Sequence, residues 1–395
     1  MILMSLYAMG FIARRKDSVL GGLWKGLLPV VGLLVIFNLI NIVSADIKSW
    51  KIDTNATAAA SQDPQIEGSA GTNSPDIYYI ILDEFEGLQG MRKYWNYQGV
   101  DDFAGFLKDR GFFLAEASHG STTNTLHEMA SRLNYTEYTH VEQDYKIYFD
   151  AIADNRVMDY LKSKGYATVV FDETKMGYPA AESIQADYLY EYGSPSIPHS
   201  QVGKYTFYFD EFGQLVIDNT MLYAISQEYK GNNELINNHT NMISFTIKNI
   251  ADKKVPSPKF VYVHLLLPHM PFAYDENGGI TDHHHYTNWN YYIDNYKFSI
   301  NVAEKMVDNI LREADPENPP VIILQSDHGA RNYAVPRDEN SEILKNYPDN
   351  LKKDILFSLY LPGYDYSSLP QDIDPVNTFP IVFNHLFDAG IPLLK

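Results

Sequence analysis

Short, nearly continuous apolar runs recur along the chain and predict the strands of a buried sheet. The first covers residues 77–82 and consists of β-branched, aromatic and leucine residues. Such runs are typical of strands covered on both faces, because a strand with one solvated face alternates between apolar and polar residues. On this basis we predict strands at 77–82, 167–171, 260–267, 321–324 and 355–361.

Helical patterns alternate with these runs. The clearest is an apolar stripe with steps of three and four residues, formed by Ile293, Tyr296, Ile300, Ala303, Val307 and Ile310. Weaker patterns predict helices at 101–110, 151–164 and 242–251. Strands that alternate with helices predict an α/β domain with a mainly parallel sheet between helices. The segment 178–212 lacks clear periodicity and is interpreted as an insertion or long loop beside the functional site.

A longer apolar run near the N-terminus predicts a transmembrane helix. Residues 26–45 carry no charge, and a helix of 20 residues is about 30 Å long, which is the thickness of a hydrocarbon core. Four basic residues precede the run, whereas the chain after it is acidic, so the positive-inside rule places 14–25 in the cytoplasm and the bulk outside. A signal peptide cleaved after Ala45 and a buried core helix are the alternatives.

The flanking segments complete the domain organisation. Residues 1–13 are also uncharged and resemble the end of a preceding spanning helix, so we expect further helices upstream in a longer version of this protein. Residues 46–74 are rich in small and polar residues and are interpreted as a linker. The remaining residues, 75–395, form the predicted catalytic domain.

Composition and charge narrow the classes of function. Hydrophobic residues make up 45% and charged residues 21% of the chain, which is typical of a folded protein. The net charge of −19 argues against nucleic acid as a partner, because such binding needs a basic surface. The chain has no cysteine, which removes disulfides, zinc–thiolate sites and thiol nucleophiles.

Carboxylates and imidazoles follow three of the predicted strands. Asp83 and Glu84 follow the first strand, His264 and His269 lie in and after the strand at 260–267, and Asp327 and His328 follow the strand at 321–324. Ligands of open α/β sheets bind at the carboxyl ends of the strands.

Each of these residues also has a structural interpretation: an acidic residue after a strand is often a helix cap, and a single histidine is often a loop residue. Together they form a set of oxygen and imidazole ligands that suits Zn²⁺ or Mn²⁺, with Ca²⁺ or Mg²⁺ as alternatives. Three such groups leave an open coordination position for catalysis.

The order of the motifs resembles the sulfatase-like branch of the alkaline phosphatase superfamily. This branch includes membrane-anchored sulfatases, lipoteichoic acid synthases and phosphoethanolamine transferases. The resemblance covers about residues 75–395 and implies an alkaline-phosphatase-like fold. The motifs, in order, are Ile-Leu-Asp-Glu, Arg-Gly-Phe, Thr-Leu-His-Glu-Met-Ala-Ser-Arg-Leu-Asn at 125–134, Pro-His-x-Pro-Phe and Ser-Asp-His-Gly.

The resemblance implies a metal centre and a nucleophile. Asp83 matches the first metal carboxylate of the family, with Glu84 as an additional ligand, and Asp327 and His328 match the remaining metal pair. Thr125 matches the nucleophile, which also contacts the metal; its structural alternative is a helix N-cap.

The resemblance also implies a role for the histidines after the middle strand. His269 matches a histidine that contacts the transferred group or the leaving oxygen, and His264 is a weaker candidate for the same neighbourhood.

The expected activity is metal-dependent hydrolysis or transfer of phosphoester or sulfoester groups through a covalent threonine intermediate. The resemblance implies an envelope lipid or glycan as substrate, the lipid bilayer as partner and an extracytoplasmic catalytic domain at the cell membrane. No Cys/Ser-x-Pro-x-Arg motif is present, which argues against a formylglycine sulfatase. Glu128 and Met129 depart from the Ser and Leu of the family pattern, so an inactive sulfatase-fold envelope binding protein is the alternative.

Overall fold

The computed structural model describes residues 74–138, 145–171, 186–191, 194–198, 232–285, 291–330 and 353–394. The predicted spanning helix at 26–45 and the flanking segments 1–25 and 46–73 lie outside these ranges. None of the helices within the ranges is both long and apolar enough to cross a membrane.

A central eight-stranded sheet organises the described part of the chain. Its order is β2-β10-β9-β1-β6-β3-β4-β5, and β7 and β8 form a separate hairpin. The strands are β1 Ile77–Leu82, β2 Phe113–Ala115, β3 Ala167–Phe171, β4 Tyr188–Glu191, β5 Ser194–Pro198, β6 Lys259–Leu265, β7 Phe272–Tyr274, β8 Ile280–His285, β9 Val321–Ser326 and β10 Phe357–Tyr360.

The centre of the sheet is parallel. Strand β1 pairs in parallel with β6 on one side and β9 on the other, and β6 continues in parallel to β3 and β4. The antiparallel pairs lie towards the edges, where β10 joins β9 to β2 and β5 joins β4. Leu82 is in register with both Leu265 and Ser326, so the carboxyl ends of the three central strands meet at one edge.

Helices cover both faces of the sheet. They are α1 Leu88–Lys93, α2 Val100–Asp109, α3 Thr125–Leu133, α4 Lys146–Ala153, α5 Arg156–Ser163, α6 Asn232–Asn249, α7 Tyr292–Glu313 and α8 Thr378–Phe387, with short 3₁₀ turns at Tyr366–Ser368 and Pro375–Asn377.

The alternating side chains of β1 show how the two faces are used. Tyr78, Ile80 and Leu82 belong to a core that also contains residues of α1, α2, α6 and α7. Tyr79 points to the opposite face, where its ring packs edge-on against Phe379 of α8. The architecture is therefore a three-layer α/β/α domain with a mainly parallel sheet, as predicted.

Most predicted elements agree with the structure, with differences at their ends. β1 and β3 have the predicted bounds, and α7 contains the whole predicted stripe. The predicted strand at 355–361 is shorter, Phe357–Tyr360, and the predicted helix at 242–251 is longer, Asn232–Asn249.

The single helix predicted at 151–164 was wrong, because it is broken into α4 and α5. Asn155 causes the break: its backbone is extended, its side chain accepts a hydrogen bond from the amide of Met158, and it donates one to the carbonyl of Ile152. An asparagine in this position caps a new helix rather than continuing the old one.

The prediction of an irregular loop at 178–212 was also wrong in part. Two stretches within it form β4 and β5 at the edge of the sheet, and β4 is two strands away from β6. Within this segment the structure describes residues 186–191 and 194–198, and residues 178–185, 192–193 and 199–212 lie outside the described ranges.

Candidate active site

The parallel register of the central strands brings Asp83, Asp327 and His328 together. Asp83 directly follows β1, and Asp327 and His328 directly follow β9. One ligand atom of each side chain lies within 4.8 Å of the others, and all three residues are buried. The Nε2 of His328 is 3.2 Å from Asp327 Oδ2 and 3.9 Å from Asp83 Oδ1.

Hydrogen bonds to the surrounding backbone orient these side chains so that acceptor atoms of the cluster face one another. The Nδ1 of His328 is 2.8 Å from the carbonyl of Gly329, so Nδ1 carries the proton and Nε2 carries a lone pair. Asp327 Oδ1 accepts from the amides of Glu84 and His328, while its Oδ2 has no hydrogen-bond partner. Asp83 Oδ1 is buried and has no partner either.

A cluster of acceptors with no donor between them fits a divalent cation. Two carboxylate oxygens and an imidazole lone pair repel one another at these distances in a buried site, and a bound cation turns that repulsion into coordination. Carboxylate and imidazole ligands together suit a transition metal ion. The three side chains therefore form a candidate site for a divalent cation at this edge of the sheet.

Thr125 lies beside this cluster at the start of α3. Its Oγ1 is 3.3 Å from Nε2 of His328. Asn124, rather than Thr125, caps the helix, because the Asn124 side chain accepts from the amide of His127. The threonine hydroxyl therefore points to the cluster from the first helical position, where the helix dipole favours anions.

His264 faces Asp83 from the neighbouring strand. Its Nε2 is 3.5 Å from Asp83 Oδ2, and its Nδ1 is 3.3 Å from the hydroxyl of Tyr262. Burial raises the pKa of Tyr262 well above its usual value, so the tyrosine keeps its proton. Because Nε2 faces a carboxylate, which can only accept, we assign the proton of His264 to Nε2, and Nδ1 then accepts from the hydroxyl of Tyr262. His264 therefore presents an Nε2–H to the carboxylate of Asp83. It orients this carboxylate and does not add a ligand atom to the cluster.

His269 is half-buried after β6, and its Nδ1 donates to the carbonyl of Met270 at 2.7 Å. Its charge also acts on Asp83. Burial would raise the pKa of Asp83, but His269 and the hydrogen bond from His264 hold that pKa well below its usual range. Asp83 is therefore ionised and able to bind a cation at any physiological pH.

Glu84 contributes its backbone instead of a ligand atom to this cluster. Its φ angle of 63° lies in the left-handed region, where a residue other than glycine is strained. This conformation points its amide at Asp327 Oδ1, 3.0 Å away. The side chain of Glu84 is not among the three ligand groups within 4.8 Å of one another in the described structure.

The residues that hold the candidate ligands in place were not predicted from the sequence. Glu128 and Arg132 form a buried ion pair of 3.1 Å on α3. Tyr292 on α7 bonds the backbone on both sides of Phe85. The i,i+4 spacing of Glu128 and Arg132 was a signal for an ion pair, but it did not show that the pair is buried against β9.

The fold is that of the sulfatase-like branch of the alkaline phosphatase superfamily. A profile of the sulfatase family matches residues 75–364, and the chain belongs to this family. None of the curated proteins compared with the chain matches it.

The chain is similar to several solved structures at low sequence identity. The C-terminal periplasmic domain of EcEptC from Escherichia coli has a TM-score of 0.52 and 16% identity, over 85% of this chain and 92% of that chain. The same domain in complex with Zn gives the same values. The integral membrane protein lipooligosaccharide phosphoethanolamine transferase A (EptA) from Neisseria meningitidis has a TM-score of 0.49 and 15% identity, over 97% of this chain and 67% of that chain.

Proposed function

We propose that this protein is a metal-dependent phosphoester or sulfoester transferase or hydrolase that works through a covalent threonine intermediate. The observation that carries the proposal is the position of Thr125 Oγ1, 3.3 Å from the Nε2 of His328, beside the unpartnered oxygens of Asp83 and Asp327. A nucleophile next to an acceptor-only cluster is the arrangement that metal-assisted group transfer requires.

Asp83, Asp327, His328 and Thr125 would hold the metal ion, and Zn²⁺ or Mn²⁺ suits these ligands best. The zinc complex of the EcEptC domain supports this choice at the level of a shared fold. When bound, the cation would lower the pKa of the threonine hydroxyl and neutralise negative charge on the transferred group.

The proposed reaction has two steps. In the first, Thr125 Oγ1, which has released its proton to solvent, forms a bond to phosphorus or sulfur, the bond to the leaving oxygen breaks, and His269 gives that oxygen a proton from Nε2. In the second, water or an acceptor alcohol attacks the same atom, His269 takes its proton, and the threonine oxygen leaves as the alkoxide that began the cycle. Nε2 exchanges the proton because Nδ1 is bonded to Met270.

We also propose that residues 26–45 anchor the catalytic domain at the outer side of a membrane, with an envelope lipid or glycan as substrate. The basic residues before this apolar run support the orientation. Resistance to carbonate extraction, together with cleavage by protease added outside intact cells, would support it. Recovery in the soluble fraction, or protection from that protease, would contradict it.

The activity is tested on the full chain with nitrophenyl phosphate monoester, phosphate diester and sulfate, and with a fluorescent phospholipid donor. Each assay is run after chelation and after addition of Zn²⁺ or Mn²⁺. We expect turnover that requires metal and is lost in Thr125→Ala and Asp327→Asn, but is kept in Thr123→Ala, a matched hydroxyl two residues away. Acid quenching should trap a modified Thr125, detected as a mass shift of its peptide.

Two outcomes would overturn the proposal. Turnover that persists in Thr125→Ala would move the nucleophile to another residue. A chain that binds no metal and turns over none of these substrates would favour the envelope binding protein with a sulfatase fold.

A further inference from the structure

We propose that Glu128 and Arg132 are positioning residues that lock the helix of the nucleophile to the end of β9, and so set the distance between Thr125 and the metal ligands. This inference rests on the proposed function. The hydrogen bonds of this pair reach the loop at 121–122 and the carbonyls of Ser326 and Asp327, so the two residues act through the backbone of both segments.

Arg132 holds the end of β9. Its Nη1 donates to the carbonyl of Ser326 and its Nη2 to the carbonyl of Asp327, each at 2.6 Å. These carbonyls belong to the metal ligand Asp327 and to the residue before it. A guanidinium can bond two adjacent carbonyls because its N–H groups form a rigid planar fork. The position of Asp327 along the strand direction therefore depends on Arg132.

Glu128 holds the loop that leads into α3. Its Oε1 accepts from the hydroxyl of Ser121, and from the amide and the hydroxyl of Thr122, at 2.6 to 3.1 Å. Its Oε2 accepts from Nη2 of Arg132. The loop also packs closely, because a Cβ added to Gly120 would lie 3.1 Å from Glu128 Oε2. Glu128 therefore ties the chain just before Thr125 to the same ion pair that holds Asp327.

The charge balance and the hydrogen bonds predict that replacement of this pair by apolar residues destabilises the site. Both side chains are buried, with Arg132 fully enclosed. Burial lowers the pKa of Arg132, but Glu128, Tyr79 and Asp327 more than compensate and raise it above its usual value. An apolar pair of the same size would fill the space, but would leave two buried carbonyls and the amide of Thr122 without partners.

The departure of Glu128 from the family pattern thus has a structural reason in this chain. A serine at this position has a side chain too short to bond Arg132 and the loop at 121–122 at the same time. Glu128 and Arg132 form one unit, four residues apart on the same face of α3.

The test compares Arg132→Lys and Glu128→Gln with Lys146→Met in the full chain. Lysine keeps the charge of Arg132 but cannot bond two carbonyls and a carboxylate in one plane, and glutamine keeps the size of Glu128 without its charge. Lys146→Met is the matched control, because it removes an i,i+4 ion pair with Asp150 on the exposed surface of α4. Ser121→Ala is a milder variant that removes one bond to Glu128.

Three properties are measured for each variant: hydrogen exchange of peptides covering 121–133 and 324–330, the dissociation constant for Zn²⁺ from competition with a chelating dye, and kcat and KM on the best ester. For Arg132→Lys we expect faster exchange in both peptides, metal affinity about tenfold weaker or more, and a lower kcat with KM little changed. Ser121→Ala should show the same changes to a smaller extent, and Lys146→Met none of them.

Hydrogen exchange separates the failure of this inference from the failure of the proposed function. Unchanged exchange in either peptide of Arg132→Lys would overturn the inference, as would a lower melting temperature with unchanged metal affinity and kcat in an active enzyme. If the wild-type chain neither binds Zn²⁺ nor turns over an ester, the proposed function fails. Faster exchange of both peptides in Arg132→Lys would still show that the ion pair holds the two segments together.

Discussion

The hydroxyl of Tyr292 donates a 2.8 Å hydrogen bond to the carbonyl of Glu84, the residue next to Asp83. The same hydroxyl accepts from the amide of Glu86 at 3.1 Å. One side chain on α7 therefore holds both ends of the turn that follows β1. This turn carries the first candidate metal carboxylate and the strained backbone of Glu84.

Removal of this hydroxyl should loosen the turn and weaken metal binding. In Tyr292→Phe, a buried carbonyl and a buried amide both lose a partner, and we expect a loss of about 2 kcal/mol in the free energy of unfolding. We also expect weaker binding of Zn²⁺, measured by dye competition. Tyr190→Phe is the control, because Tyr190 bonds Asp252 in another part of the sheet. A Tyr292→Phe protein with wild-type metal affinity would show that the turn is held by other contacts.

His264 should act on the metal through Asp83. We expect His264→Ala to bind Zn²⁺ about 10- to 100-fold more weakly, as is typical when a residue that orients a metal ligand is removed. His264→Gln should lose less, since its amide nitrogen can stand where Nε2 does. His385→Ala, at an exposed ring bonded to the carbonyl of Pro362, should bind as the wild type does. Equal affinity losses in His264→Gln and Asp327→Asn would instead make His264 a direct ligand.

Gly90 and Gly105 should respond to alanine in opposite directions. A Cβ at Gly90 would lie 2.0 Å from Glu86 Oε1, and Glu86 is itself bonded to the amide of Ala330. We expect Gly90→Ala to lower the free energy of unfolding by about 1–3 kcal/mol, as overpacking does.

A Cβ at Gly105, in α2, would meet no atom within 4 Å. Gly105→Ala should therefore raise the free energy of unfolding by about 0.5–1 kcal/mol, because alanine favours the helix. Urea unfolding measures both variants. Equal effects at the two positions would mean that Glu86 moves aside freely.

Asp354 should make stability depend on pH. Burial raises the pKa of Asp354 to about 6, although His119, 2.9 Å away, opposes this shift. Between the unfolded pKa of about 3.9 and this value the folded chain binds more protons than the unfolded chain, so the free energy of unfolding falls as pH rises through this window.

Asparagine cannot ionise, so Asp354→Asn should gain up to about 3 kcal/mol relative to the wild type between pH 4 and 7. Urea unfolding at several pH values measures this difference. His119→Gln serves as the comparison: without the opposing imidazole, the pKa of Asp354 should rise further and the fall in stability should move to higher pH. A difference between Asp354→Asn and wild type that does not change with pH would mean that Asp354 ionises normally in the folded protein.

The central strands and the residues that follow them were predictable from the amino-acid sequence. β1 and β3 were predictable to the residue, because buried parallel strands consist of uninterrupted apolar side chains. Asp83 and Asp327 could be predicted to meet, because the carboxyl ends of parallel neighbours lie at one edge of a sheet. The order of short motifs indicated the family, which the sulfatase profile confirmed.

The side chains that support the site could be identified only from the assembled fold. Arg132 bonds Ser326, which is 194 positions away in the sequence, and Tyr292 bonds Glu84, which is 208 positions away. No local pattern encodes such pairs, because they depend on which helix packs against which strand. Periodicity reports burial and local conformation, whereas hydrogen bonds between distant segments are fixed only when the layers of the fold are assembled.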